Sequence, residues 1–476
     1  MNYSIRIISG LLFSILLLFG SPSLFSQTAT ITGQAEGKPH ELVRVIIYAD
    51  QFSKLPETLA STYTDENGNF ELTPQIKQTD YAFLAVGLKK GEFYLKPGAE
   101  YQFMIPKDTI DKRGSVFDEM PLRFSLKADD GGLNDEIGNF NVAYNTFIYE
   151  NGNKIYRGYN KQFISDFIEK VDEAYDSVGD EYIRNYVRYS MISLQWVAKM
   201  MSSDSVISTW FVNQPVLYHN IQYTEFFSEL FQSYFGYQRI FSYSELVDAI
   251  NNGKGYQAVD ELLKRQEDLT ADNRLRELIG IFLISKKYFS ADVIRDNVIA
   301  LLREIQQNSK YPENSNVAGN YIVKLQKLEP GTAAPSFSLK DASGKTVSLK
   351  ELSDKVLLLA FIRSDCKVCL QQMGDLEALR KKFGNKLKMA TLVYGKQFQE
   401  VVQYAADRNF NWPVLDIGDN ILLLEAYNIR AYPTYVIIKP GGMMGMATAP
   451  MPDENLDLFI RRYVNEAEKA NNAGEH

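Results

Sequence analysis

Residues 356–362 read Val-Leu-Leu-Leu-Ala-Phe-Ile, and just beyond this run stand Cys366 and Cys369, the only cysteines of the chain. An unbroken apolar strand has no polar face to turn to water, so it belongs inside a sheet covered on both sides. The chain must then supply helices or a second layer for each face. The run also fixes where the cysteines emerge, namely at the end of a central strand. Residues 371–382 follow as an amphipathic helix, with Leu370, Met373, Leu376 and Leu379 on one face.

The surrounding sequence alternates in the same way. Residues 331–339 and 341–349 read as two strands around a hairpin-like turn, and 387–394, 413–415 and 434–439 as further strands. Helices are expected over 398–408, 421–427 and 454–470, which together define an α/β sheet layered by helices. Upstream the pattern differs. Residues 28–128 carry short β-branched runs broken by Gly, Asn, Asp and Pro, as in Asp65-Glu-Asn-Gly68, and suggest a small antiparallel β-sandwich. This part shows no ligand constellation and reads as scaffold or docking surface. From 129 to 327 apolar residues recur at helical spacing over 161–175, 181–201, 224–235, 244–250, 255–266, 274–287 and 291–307, with Asp180 a candidate N-cap and Asn308 a helix end. Tyr182, Tyr186, Tyr189 and Trp196 form an aromatic stripe there, read as interhelical packing. With 45% hydrophobic and 23% charged residues, a multidomain globular chain is expected. The expected division is 1–26 signal peptide, 27–128 β-sandwich, 129–327 all-α domain and 328–476 α/β domain.

The first residues bear on compartment. Arg6 precedes an apolar stretch at 11–19 and a small-polar stretch at 20–26, the pattern of a secretory signal peptide cleaved near Ser26. That stretch is shorter than the ~18–20 residues a membrane helix needs. No cysteine lies near for lipid attachment, and no later segment is apolar enough to span. The mature chain is therefore expected to be exported, to the periplasm. In an oxidising compartment Cys366 and Cys369 could form a disulfide, but so short a loop removes little unfolded-state entropy, which makes a structural staple a weak reading. Zinc is equally poorly served, because His40, His219 and His476 offer no second half-site. A net charge of −8 argues against nucleic-acid binding.

"GTAAPSFSLKDASGKTVSLKEL", the buried strand, Cys-x-x-Cys, and Arg430-Ala-Tyr-Pro-Thr-Tyr435 before a strand together resemble a thioredoxin-fold domain of the exported TlpA/ResA-like thiol–disulfide oxidoreductases. The resemblance spans about 328–470. It implies that Cys366 is the attacking nucleophile, favoured as a thiolate at a helix N-terminus, and that Cys369 resolves the mixed disulfide. It further implies a cis Tyr432-Pro433 bond, with the backbone of Tyr432, Pro433 and Thr434 binding a partner's extended segment. Arg363, Asp365 and Lys367 would modulate the nucleophile, the acid opposing the thiolate and the bases favouring it. The implied partners are protein thiols and disulfides, with a membrane thiol protein as electron donor; no cofactor or metal is implied. Several positions depart from the family pattern. Asp365 stands where Trp is usual, Val368 where Pro is frequent, Gln372 where Glu is frequent, and Ala360 where thioredoxins hold a buried acid. A peroxidase of the peroxiredoxin kind would need Thr or Ser at Arg363 and Pro at Leu359. The competing reading is an exported binding or scaffold protein with a redox-inactive thioredoxin fold.

Overall fold

A computed structural model describes residues 26–107, 121–157, 161–236, 240–252 and 254–473. The expected signal peptide lies, but for Ser26, outside these residues.

The N-terminal region forms two four-stranded sheets. One runs in the order Ser125–Asp129, Glu100–Ile105, Thr30–Ala35, Asn69–Leu72, and the other Pro56–Tyr63, Leu42–Tyr48, Asp80–Val86, Lys89–Leu95. Strict alternation, as in Glu100–Ile105, sends Tyr101, Phe103 and Ile105 inward to a cluster that also holds Val43, Val45 and Leu84 of the other sheet. One pairing departs from the antiparallel expectation: Thr30–Ala35 lies parallel to Glu100–Ile105. The chain reaches the second of these strands only after building the whole of the other sheet, and such a crossover permits parallel pairing. At the Asp65 turn the carboxylate accepts the N–H groups of Asn67 and Asn69, both at 2.8 Å. Gly68 there has φ +82°, and a Cβ would lie 2.2 Å from the Ala35 carbonyl, so only glycine fits.

Helices follow from Leu133 to Leu325. Asp180 caps Glu181–Val197 by accepting from the Tyr182 and Ile183 N–H groups, as its position suggested. Tyr186 and Tyr189 of that helix are buried, in keeping with a packing role. Leu133–Arg157, Ser203–Trp210 and Pro312–Leu325 are additional helices that the periodicity did not reveal. The sheets are fused to this region through aromatic rings. Phe52 lies 5.0 Å from Phe227, and Tyr81 belongs to a cluster with Leu133, Ile137 and Phe140.

The C-terminal domain contains β1 (Ser338–Asp341), β2 (Thr346–Ser348), α1 (Leu349–Leu352), β3 (Val356–Arg363), α2 (Lys367–Phe383), β4 (Leu387–Tyr394), α3 (Phe398–Asp407), β5 (Val414–Asp416), α4 (Ile421–Ala426), β6 (Thr434–Lys439), β7 (Met443–Ala449) and α5 (Leu456–Ala473). The sheet order is β2-β1-β5-β4-β3-β6-β7, with β3 parallel to β4 and antiparallel to β6. β3 is the central strand that its composition demands. Leu358, Ala360 and Ile362 enter the cluster beneath α2 and α5, while Leu357, Leu359 and Phe361 enter the one on the opposite face.

Candidate active site

β3 ends at Arg363, and three residues later Cys366 caps α2. The helix thus begins at Lys367, before the position read from periodicity, and the cysteines bracket its first turn. They are joined in a disulfide, with Cα atoms 5.3 Å apart. The Sγ of Cys366 accepts the Cys369 N–H at 3.2 Å, taking the place of a hydroxyl or carboxylate cap. Exposure separates the two sulfurs: Cys366 is half-buried, whereas Cys369 is 0% exposed, packed in the cluster that holds Ala360, Met373 and Tyr435. Only one of the pair can be approached from outside.

The loop before Cys366 is held from β4. The Ser364 N–H donates to the Tyr394 carbonyl at 2.9 Å, and the Ser364 hydroxyl accepts from the Gln397 N–H at 3.2 Å. Gly395 has φ +115°, and a Cβ on it would lie 2.6 Å from that hydroxyl. Both constraints require glycine.

Of the charged neighbours, Arg363 donates its Nε–H to Asp365 in an ion pair. Asp365 therefore does not face the sulfur as an isolated anion, and Lys367 stands exposed at the head of α2. The first turn of α2 carries no acidic residue. The Tyr432–Pro433 bond is cis, Pro433 is buried, and the Thr434 hydroxyl donates to the Ala431 carbonyl at 2.6 Å. Tyr432 and Cys366 both pack against the apolar cluster that holds Ala360, Met373 and Tyr435.

Three neighbours were not anticipated. Tyr394 stacks on Tyr432, rings 6.5 Å apart and 14° from parallel. Tyr435 donates its hydroxyl to Gln372 Oε1 at 2.7 Å, and Gln372 in turn donates its amide to Met451 Sδ at 3.5 Å. Burial raises the phenols of Tyr432, Tyr435 and Tyr394, so all three remain neutral hydrogen-bonding groups. Tyr394 could have been suspected, since it ends a strand parallel to β3, on the edge where open α/β sheets place their sites.

A Cys-x-x-Cys disulfide at the start of a helix, one sulfur accessible and one enclosed, in a domain that also holds a cis-proline loop, has the arrangement of a thioredoxin-type thiol–disulfide site. Residues 330–445 match the AhpC/TSA family. The thioredoxin-like protein YneN of Bacillus subtilis is 30% identical over 151 residues, covering 88% of that protein and 30% of this chain. The thiol-disulfide oxidoreductase ResA of Halalkalibacterium halodurans is 27% identical over 151 residues, 85% of its length and 31% of this chain. A solution structure of a thiol:disulfide interchange protein from Bacteroides sp. aligns over 99% of its own length and 32% of this chain, with 19% identity and a TM-score of 0.27. Through its C-terminal domain the chain belongs to the thioredoxin-like thiol–disulfide oxidoreductases of the AhpC/TSA family.

Proposed function

We propose that this protein is exported to the periplasm and reduces or isomerises disulfides in partner proteins, with Cys366 as nucleophile and Cys369 as resolving thiol. The observation that carries the reading is the unequal exposure of the two sulfurs across the first turn of α2. In the reduced protein the unpaired N–H groups and positive end of α2 favour a Cys366 thiolate, and Arg363 offsets the charge of Asp365. The thiolate attacks one sulfur of the partner's disulfide, forms a mixed disulfide and expels the other sulfur as a thiolate. Cys369, deprotonated, then attacks the Cys366 sulfur and releases the partner's second thiol. Two electrons pass from the enzyme dithiol to the partner, leaving the Cys366–Cys369 disulfide. A membrane thiol protein is the proposed donor that restores the dithiol. The chemistry uses no metal or cofactor.

Tyr432, Pro433 and Thr434 are proposed to hold the partner's extended segment by their backbone. The upstream residues are proposed to form a β-sandwich over 27–128 and a helical domain over 129–327 that choose the partner. Cys366→Ser should abolish reduction of insulin disulfides. Cys369→Ser should accumulate mixed disulfides, visible on non-reducing gels and lost on adding dithiothreitol. Retention of full activity by Cys366→Ser would overturn the assignment.

A further inference from the structure

Tyr435 links the strand after the cis-proline to the helix that carries the cysteines. In the antiparallel pairing of β3 with β6 it stands directly opposite Ala360, and opposed residues of such a pair share a face. That face lies beneath α2, where Tyr435, 1% exposed, belongs to the same cluster as Ala360 and Cys369. Ala360 carries only a methyl, which leaves the phenol ring free to extend toward α2. There its hydroxyl donates to Gln372 Oε1 at 2.7 Å. Burial raises this phenol and so keeps it in the donating form.

Gln372 lies three residues beyond Cys369 on α2, so the two side chains are neighbours on the helix surface. Its carbonyl accepts from Tyr435 and its amide donates to Met451 Sδ at 3.5 Å, which fixes the side chain in one orientation. Met451 is itself held in a turn, its carbonyl accepting the Glu454 N–H at 2.8 Å. Gln372 therefore fastens α2 both to β6, just after the cis Tyr432–Pro433 bond, and to the segment that follows β7. The Ser364 contacts anchor the loop before Cys366, and the Tyr435–Gln372 bond anchors the turn after Cys369. Separate hydrogen bonds thus place the two sulfurs from opposite sides.

We propose that Tyr435 is a positioning residue for the resolving step: through Gln372 it holds the turn after Cys369 so that this sulfur stays within reach of Cys366 once a partner is attached. The inference rests on the oxidoreductase reading above and adds a residue that acts on one of its two steps. In that step the Cys369 thiolate attacks the Cys366 sulfur, and the Cys366–partner bond breaks as the Cys366–Cys369 bond forms. The departing partner sulfur takes up from water the proton that Cys369 gave to water. The earlier attack by Cys366 depends on the Ser364 loop and does not need Tyr435. One neutral hydrogen bond supports an effect of about two- to tenfold on a rate.

The test mixes the reduced full chain, freed of dithiothreitol, with a peptide disulfide, quenches with acid at intervals and follows the mixed disulfide by mass spectrometry. Tyr435→Phe should lengthen the life of the mixed disulfide about two- to tenfold and leave its rate of formation within about twofold. Gln372→Leu should do the same. The variant carrying both should be no slower than the slower single one, because both changes remove the same bond. Equal slowing of formation and decay would mark a general loosening of the domain and overturn the proposal. So would unchanged decay in either variant, or effects that multiply in the double one. Should Tyr435→Phe not fold, Gln372→Leu, at a half-buried position, decides on the same two rates. Absence of any mixed disulfide in the wild type and in Cys369→Ser alike would overturn the oxidoreductase function itself, and this inference with it.

Discussion

At the scale of single residues the site turns on how charges near Cys366 are paired. The opposing flanks, Asp365 against Arg363 and Lys367, were legible in the sequence, but their balance was not. It depends on a side-chain contact between Arg363 and Asp365 that residue order does not specify. With Asp365 neutralised by its neighbour, the remaining influences, α2 and Lys367, favour the thiolate. Asp365→Asn should then have a limited effect, since it removes an anion already offset and half in water. The pH at which the reduced protein reacts half-maximally with iodoacetamide should fall by less than about one unit, and by less still in about 0.5 M salt. A larger fall would mean that Asp365, not the helix, governs the nucleophile. Gln372 shows the same limit of legibility. Its departure from the family's acid is plain in the sequence, whereas its bond to the buried Tyr435 hydroxyl joins positions 63 apart.

Among the elements, β3 and α2 were the most readable, because an apolar run of that density has one comfortable place in an α/β sheet. Leu359→Ala on β3 should destabilise by about 2–5 kcal/mol in denaturant unfolding, because its side chain is fully enclosed. The exposed Val368→Ala, between the cysteines, should stay within about 0.5 kcal/mol. The turn after β4 carries a less visible constraint. Gly395→Ala must adopt φ +115° and push Ser364 away, at a cost of about 1–3 kcal/mol. Ser364 precedes the nucleophile loop, so insulin reduction should drop in this variant by more than in a Leu359→Ala protein assayed under conditions where both are folded. Equal residual activities would show that the turn does not position Cys366. The helix Leu133–Arg157 was missed for a physical reason: it is rich in Asn and contains Gly138 and Gly152, which are poor helix formers. It is held instead by burial of Leu133, Ile137 and Phe140 against the neighbouring helices. The parallel pairing of Thr30–Ala35 with Glu100–Ile105 was equally hidden, since each strand alternates the same way whichever direction its partner runs.

At the scale of the whole molecule, the decisive contact is the one no local reading could supply, since Arg44 and Glu425 are 381 residues apart. Burial works against the Glu425 carboxylate, but Arg44 and Lys90 outweigh it and hold its pKa below the usual value of 4.5. A carboxyl whose pKa is depressed by docking contributes its full stabilisation above the usual value and loses it as the pH falls through the depressed one. Docking of the C-terminal domain should therefore be complete at neutral pH and fail in acid. Glu425→Ala removes the partner while Arg44 remains. Kept docked, the buried guanidinium would cost about 3–5 kcal/mol. Separation of the domains avoids that cost by returning Arg44 to water, and the described residues place no shared apolar cluster there to resist it. Lys327, which donates to the Glu425 carbonyl at 3.3 Å, would be left as a tether near the linker. The expected outcome is an increased radius of gyration in small-angle scattering at neutral pH, with far-UV circular dichroism unchanged, and partial recovery in the exchanged pair Arg44→Glu/Glu425→Arg. Scattering identical to wild type, together with a lowered unfolding temperature, would mean that the ion pair stabilises a docking held by something else.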